Sequence, residues 1–252
     1  MQPQRLKKTS GFTLIELIVV IVLLGVLAAA VSSFIKFGTQ IYTETSARDQ
    51  LVSSARFAIE RLNRDIRNAL PNSLRLTNAD QCIEFTPILE STIYTDIPVL
   101  PEIARNTINV IKFDEPFDSN WQGIVYPLTP DDVYPLTPSN TDKIHNVDSI
   151  STVGDEWVIT LENNVLFAEE SPTQRLYFIN GTVEYCLQSN TLLRSDSISS
   201  NVLMALDIYN TSPFEILAAT LQRNAMVQVH FLFEKNNEQV TFNNEIQVLN
   251  VP

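Results

Sequence analysis

Residues 7–30 read KKTSGFTLIELIVVIVLLGVLAAA, and the twenty residues from Phe12 to Val31 are almost unbroken aliphatic side chain. From Phe12 to Ile35 the run covers 24 residues. As a helix it is about 36 Å long at ~1.5 Å per residue, enough to cross the hydrocarbon of a bilayer. A cleaved secretory signal has an apolar stretch of only about 7 to 15 residues, so the run predicts a spanning segment. The basic leader, with Arg5, Lys7 and Lys8, predicts a cytoplasmic N-terminus and an exported remainder. One residue breaks the pattern: Glu16. An ionised carboxylate in hydrocarbon costs about 2.5 to 3.5 kcal/mol on insertion scales. Glu16 therefore has to snorkel to an interface, line a helix contact as a protonated acid, or pair with a group that need not belong to this chain.

Beyond the span, Leu51, Ala55, Ala58, Ile59, Leu62, Ile66 and Ala69 recur at three- and four-residue steps, which predicts one apolar stripe on an otherwise polar helix. Glu60 with Arg64 and Arg61 with Asp65 read as i,i+4 pairs on its outer faces, and Pro71 as its stop. Residues 12–70 thus read as one long helix, its 12–35 half transmembrane and its 36–70 half amphipathic. Gly25, Ser32, Ser33 and Gly38 are its weak points, because glycine costs about 1 kcal/mol against alanine in a helix interior.

Residues 71–252 read as a β-rich globular head. CIEFTPIL, TINVIKF, EWVITL, RLYFIN, TVEYCLQ, AMVQVHFLFE and EQVTFNNEIQVL are rich in β-branched and aromatic residues and predict strands of an antiparallel sheet. Asn180-Gly181 predicts a two-residue hairpin between RLYFI and TVEYC, and KNNE at 235–238 a second one. The doubled Tyr-Pro-Leu-Thr-Pro at 126–130 and 134–138 predicts an extended surface loop. The fold class expected is therefore α+β, a long N-terminal helix against an antiparallel head. Two cysteines, Cys82 and Cys186, lie on the exported side, where one disulfide is the natural reading and a pair of buried free thiols the alternative.

Several function classes lose support. The head carries 8 Lys and Arg against 24 Asp and Glu, a net charge of −16, which argues against nucleic acid or anionic lipid as its partner. No nucleophile elbow, phosphate loop, HExxH or CxxC is present, so a non-enzymatic chain without cofactor or resident metal is expected. Asp131, Asp132, Asp142 and Asp148 crowd one region without the spacing of a calcium loop, and a solvated acidic loop is the plainer reading. His145 falls in a polar loop. Strand alternation puts His230 on the face opposite Val227, Val229, Phe231 and Phe233.

A basic leader ending in Gly11, followed by Phe12-Thr13-Leu14-Ile15-Glu16 and an aliphatic run, resembles the class III signal of type IV pilins and of type II secretion pseudopilins. The resemblance implies that residues 1–11 are a leader removed by a prepilin peptidase between Gly11 and Phe12, and that the same enzyme methylates the new Phe12 amine. It also implies that Glu16 pairs with the Phe12 amine of a neighbouring subunit. The partners implied are other major and minor pilins, the prepilin peptidase and N-methyltransferase, and an inner-membrane assembly platform. The subunit would sit in the inner membrane before joining a fibre or its tip. SARFAIERLNRDIRNA, residues 54–69, is similar to the end of the long helix in larger minor pilins and J-type pseudopilins. RLYFINGTVEYCLQSNTLLRSD resembles their later hairpin, a tyrosine-bearing strand followed by a short turn and a Leu-Arg pair. The first seventy residues look most like a minor pilin of the mannose-sensitive haemagglutinin pilus. A J-type pseudopilin and a ligand-binding adhesin head on a pilin stalk are the alternatives. Many major pilins carry a mid-span proline where this chain has Ser32 and Ser33.

Overall fold

The computed structural model describes residues 11–113, 120–137, 139, 141–154, 156–217, 225–236 and 238–248. The basic leader lies outside them. The chain divides into two compact units, Met1–Asp49 and Gln50–Pro252. Helix α1 (Leu14–Arg67) runs 54 residues and passes Gly25, Ser32, Ser33 and Gly38 without interruption. It starts two residues later and ends three earlier than the sequence suggests. Asn68 and Ala69 donate to the carbonyls of Asp65 and Ile66, tightening the last turn, so the helix has ended before Pro71 could stop it.

After α1 come β1 (Arg75–Thr77), β2 (Cys82–Phe85), β3 (Ile88–Asp96), β4 (Arg105–Ile111), β5 (Gln122–Val125) and the one-turn helix α2 (Pro130–Val133). Then follow β6 (Ile144–Val153), β7 (Glu156–Val165), β8 (Arg175–Ile179), β9 (Val183–Gln188) and β10 (Thr191–Ser195). The last strands are β11 (Val202–Ala205), β12 (Phe214–Leu217), β13 (Ala225–Lys235) and β14 (Glu238–Val248). The architecture is α+β, as expected, but the antiparallel head has three parts. One sheet runs β1-β2-β9-β10-β11 and a second β12-β13-β14, while β3-β4-β7-β6-β5-β8 close into a barrel.

The two sheets meet where β1 lies beside β12. Together they cover the stripe of α1: Leu51, Ala55, Ala58, Leu62, Ile66 and Ala69 share one core with Phe85, Tyr185, Leu192, Val229, Phe231 and Phe233. Ala55 and Ala58 are fully buried; their small side chains let the sheets approach the helix closely. Strand β13 alternates as its sequence predicts, with Val227, Val229, Phe231 and Phe233 buried and His230 exposed. The barrel holds its own core, in which Phe113 sits 4.7 Å from Trp157 and 5.2 Å from Phe178, ring centre to ring centre.

The barrel is an insertion between two adjacent strands of the five-stranded sheet. β2 pairs with β9, and every barrel strand lies between them in the chain. This overturns the hairpin expected at Asn180-Gly181. β8 pairs with β3 and β5, and β9 with β2 and β10, so Asn180 and Gly181 carry the chain out of the barrel. Only Gly181 has positive φ, at 76°, whereas a two-residue hairpin turn of that kind needs both. The turn with that geometry is Ser189-Asn190, at 48° and 64°, between β9 and β10. At KNNE the expected pairing occurs, Lys235 opposite Glu238, with Asn237 outside the described residues.

The Pro-rich stretch is anchored, in contrast to the extended surface loop its sequence suggests. Val133 of α2 is buried. The Tyr134 hydroxyl donates to the Ser73 carbonyl at 3.0 Å and accepts from Thr86 at 3.1 Å, and the Arg75 guanidinium lies 3.8 Å above its ring. Burial pushes the Tyr134 phenol up to about 12. His145 is the second residue of β6 instead of sitting in a loop; its Nε2–H donates to the Asp142 carbonyl at 2.7 Å, and its ring meets Phe167 edge-on.

Burial lowers the His145 pKa below 6.5, against the opposing pull of the Asp142 carbonyl and carboxylate. A depressed imidazole leaves the native state binding fewer protons than the unfolded chain over that window. Its contribution is therefore complete above pH 6.5 and lost as pH falls through the folded value. Denaturant titrations on either side of pH 6 should show wild-type stability falling with acid, and His145→Gln should flatten that slope.

Candidate functional site

The apolar segment predicted to span a membrane forms helix, and among the described residues α1 is the one helix long and apolar enough to cross. Gly11, Phe12 and Thr13 precede its first turn, and Glu16 lies within that turn. Two physical facts converge on Glu16. A carboxylate in the first turn faces the unpaired N–H groups and positive end of the helix dipole. It also stands four residues after Phe12, the spacing of one helical turn. Phe12 is 75% exposed and Glu16 is exposed, so neither is consumed within the chain. A Cβ placed on Gly11 meets nothing within 4 Å. The fold therefore does not require glycine there.

The end of α1 carries the main polar site of the head. Asp65 Oδ2 accepts from the Tyr185 hydroxyl and from Arg194 Nε, each at 2.8 Å, and Arg61 Nε lies 3.2 Å from Asp65 Oδ1. Arg194 also pairs with Asp196. Asp65 and Arg194 have side chains only 12% exposed. Burial, with the Asp65 carboxylate alongside, raises the Tyr185 phenol well above its ordinary value. Burial opposes the charge on Arg194, but its bonds to Asp196 and Asp65 outweigh that and hold it firmly protonated.

Sequence reasoning placed Arg61–Asp65 on an outer face. In the structure Asp65 stands on the border of the buried stripe and ties α1 to β9 and β10. The expected Glu60–Arg64 pair does not form among the described residues. The signal that could have found the anchor was present: Asp65 follows Leu62 by three and Ala58 by seven, and Tyr185 and Arg194 flank a tight turn.

Cys82 and Cys186 are disulfide-bonded, directly opposite each other on β2 and β9. The remaining sequence candidates stay apart. Asp132 accepts backbone N–H bonds from Leu128 and Thr129 and a bond from Lys143. Although burial works against its charge, those donors hold it below its usual range. Asp142 accepts the Ser139 N–H at 2.6 Å. Among the described residues the one converging trio of metal-ligating types is Cys82, Glu184 and Cys186. Its two sulfurs are already bonded to each other.

Among family models, that of the prokaryotic N-terminal methylation motif matches residues 6–32. No curated protein and no solved structure matches the chain. The match covers residues 6–11 of the leader, then Phe12, Glu16 and most of the apolar run. The chain thus carries a type IV prepilin-like signal ahead of a membrane-capable helix, which supports a pilin-like protein processed by a prepilin peptidase.

Proposed function

We propose that the chain is a minor pilin, a non-enzymatic subunit that helps initiate a type IV pilus of the mannose-sensitive haemagglutinin type, its first seventy residues resembling the minor pilin MshO. The observation that carries this reading is the Gly11-Phe12…Glu16 signal at the start of an apolar helix, joined to a large acidic head. The leader is residues 1–11, the anchor 12–35, and the N-terminus faces the cytoplasm until assembly. Phe12 becomes the methylated N-terminus, and Glu16 compensates the Phe12 amine of a neighbour. A bulky head with a Pro-rich loop suits a rare tip subunit better than one repeated along a shaft. A J-type pseudopilin is the second reading, because the Tyr185 strand, the Ser189-Asn190 turn and the Leu193-Arg194 pair resemble that class as much as the larger minor pilins. Deleting the gene separates the two: lost piliation supports the first, and lost exoprotein secretion with intact pili the second.

The intact mass of the chain from its host tests both. The expected species lacks residues 1–11 and carries one methyl group on Phe12; an unprocessed chain would overturn the pilin-like reading. Because Gly11 has open space around it, Gly11→Leu should leave the head folded. It should nonetheless slow cleavage by at least about tenfold, a loss of about 1.4 kcal/mol or more in recognition.

A further inference from the structure

The outer face of the barrel changes character along its strands. Ile124, Ile144, Tyr177 and Ile179 pack there with Leu70 and with Val133 of α2, so the Pro-rich stretch covers that end. Two residues along, on the same face, β5 carries Gln122 and β6 carries Asn146, and the face turns polar. The two are register partners. Gln122 Nε2–H donates to Asn146 Oδ1, and Asn146 Nδ2–H to Glu162 Oε2 on β7, each at 2.9 Å. Strand pairing thus sets the spacing of these three side chains, and their mutual bonds set their orientation. The second N–H of each amide, Gln122 Oε1 and Glu162 Oε1 have no partner among the described residues.

Two hollows of about 600 and 530 Å³ open over this row and share Gln122 and Asn146 as a common floor, each within the ~300 to 1,000 Å³ of small-molecule sites. Val133 and Pro135 wall one. Ser197 and Ile198 wall the other, in a loop held by Asp196, which accepts the Ile198 and Ser199 N–H groups. Gly181 lets that wall close in, since a Cβ there would stand 3.2 Å from the Ser197 Cβ.

The lining defines what could fill this trough. Among the described residues no Lys or Arg lines either hollow. Lys143, beside one of them, pairs with Asp132, and burial holds His145 below 6.5. An anion would therefore meet Glu162 and Asp142 with no countercharge. An apolar ligand would strip water from the Gln122 and Asn146 amides without replacing it. A side-chain amide holds donor and acceptor side by side, which matches adjacent hydroxyls that each donate and accept. Ile198, 92% exposed, offers an apolar surface to the C–H face of a ring. We propose that the trough binds a neutral saccharide, its ring hydroxyls bonded to Gln122, Asn146 and Glu162 and its length spanning both hollows. The site lies on the barrel and does not rest on the prepilin reading.

The test is saturation-transfer NMR of the full chain in a polyoxyethylene detergent, which has no sugar headgroup, with neutral trisaccharides of glucose, galactose and mannose as probes. Saturable transfer to at least one of them is expected, and neither sialyllactose nor spermidine should displace it. Asn146→Leu should weaken binding by about tenfold or more, while Asn243→Leu, on β14, leaves it unchanged. Glu162→Gln keeps an acceptor oxygen in place and should weaken it less than Asn146→Leu does. Asn146, Glu162 and Asn243 are all exposed, so each variant keeps the fold, which its thermal midpoint checks. The proposal is overturned by absent transfer to all three sugars, or by equal binding in Asn146→Leu and Asn243→Leu. Displacement by sialyllactose also overturns it, as does displacement by spermidine or complete loss in Glu162→Gln, either of which would mark a cation site.

Discussion

Replacing Asp65 with alanine should lower the stability of the head by about 2 to 4 kcal/mol. The carboxylate is the common acceptor for Tyr185 and Arg194 and the partner of Arg61. Removing it leaves a phenol and a guanidinium in a site only 12% exposed at Arg194. Asp196 still pairs with Arg194, which keeps the loss below that of a fully orphaned charge. Asp65→Asn should cost less, because one oxygen still accepts from Tyr185 while the attraction to the guanidinium is lost. Hydrogen exchange of the β9 and β10 amides, followed through a urea series, reports on the core that the anchor holds, whereas Trp121 and Trp157 lie in the barrel core. A shift below 1 kcal/mol for the alanine variant, about the scale of an exposed pair, would reduce the anchor to a surface contact.

Glu16→Leu should leave membrane level and leader cleavage intact while excluding the subunit from the filament or its tip complex. The substitution removes a polar group from lipid, so insertion becomes easier. On the proposed pairing it would also strand the amine of a neighbour's Phe12 among apolar helices, and breaking one side of a buried pair costs about 3 to 5 kcal/mol. That is more than a hundredfold in incorporation. Glu16→Asp keeps the charge and shortens the reach by one methylene, so partial incorporation is expected. Cysteine cross-linking between adjacent subunit helices, scored for each variant, measures the effect. Normal cross-linking and piliation in the leucine variant would mean that Glu16 serves only the start of its own helix.

What could be read from sequence was what is local and periodic. The stripe from Leu51 to Ala69 announced itself because helical burial repeats at three and four residues, and β13 because its alternation is strict. The barrel did not announce itself. QGIV and IHNVDSISTV are short or polar strands whose identity comes from neighbours far along the chain, and closure is a property of pairing that no window contains. Asn180-Gly181 misled for the same reason: a turn dipeptide specifies backbone angles, not which strands flank it. Asp65 looked like a helix-surface partner of Arg61 because its decisive contact, Arg194, is 129 residues away. At the N-terminal end, by contrast, chemistry is compressed into five consecutive residues, Phe12 to Glu16, and needed no fold to be read.

The insertion of the barrel between β2 and β9 determines how the chain would bear tension. A pull applied between α1 and β14 reaches the barrel only through the strands that flank it. There the Cys82–Cys186 bond bridges a separation of 104 residues. The force crosses at the sulfurs and bypasses everything between them. At ~3.5 Å per extended residue, about 360 Å of chain is withheld from stretching. Under load the five-stranded sheet could yield at its outer strands while the barrel, off the mechanical path, stayed folded.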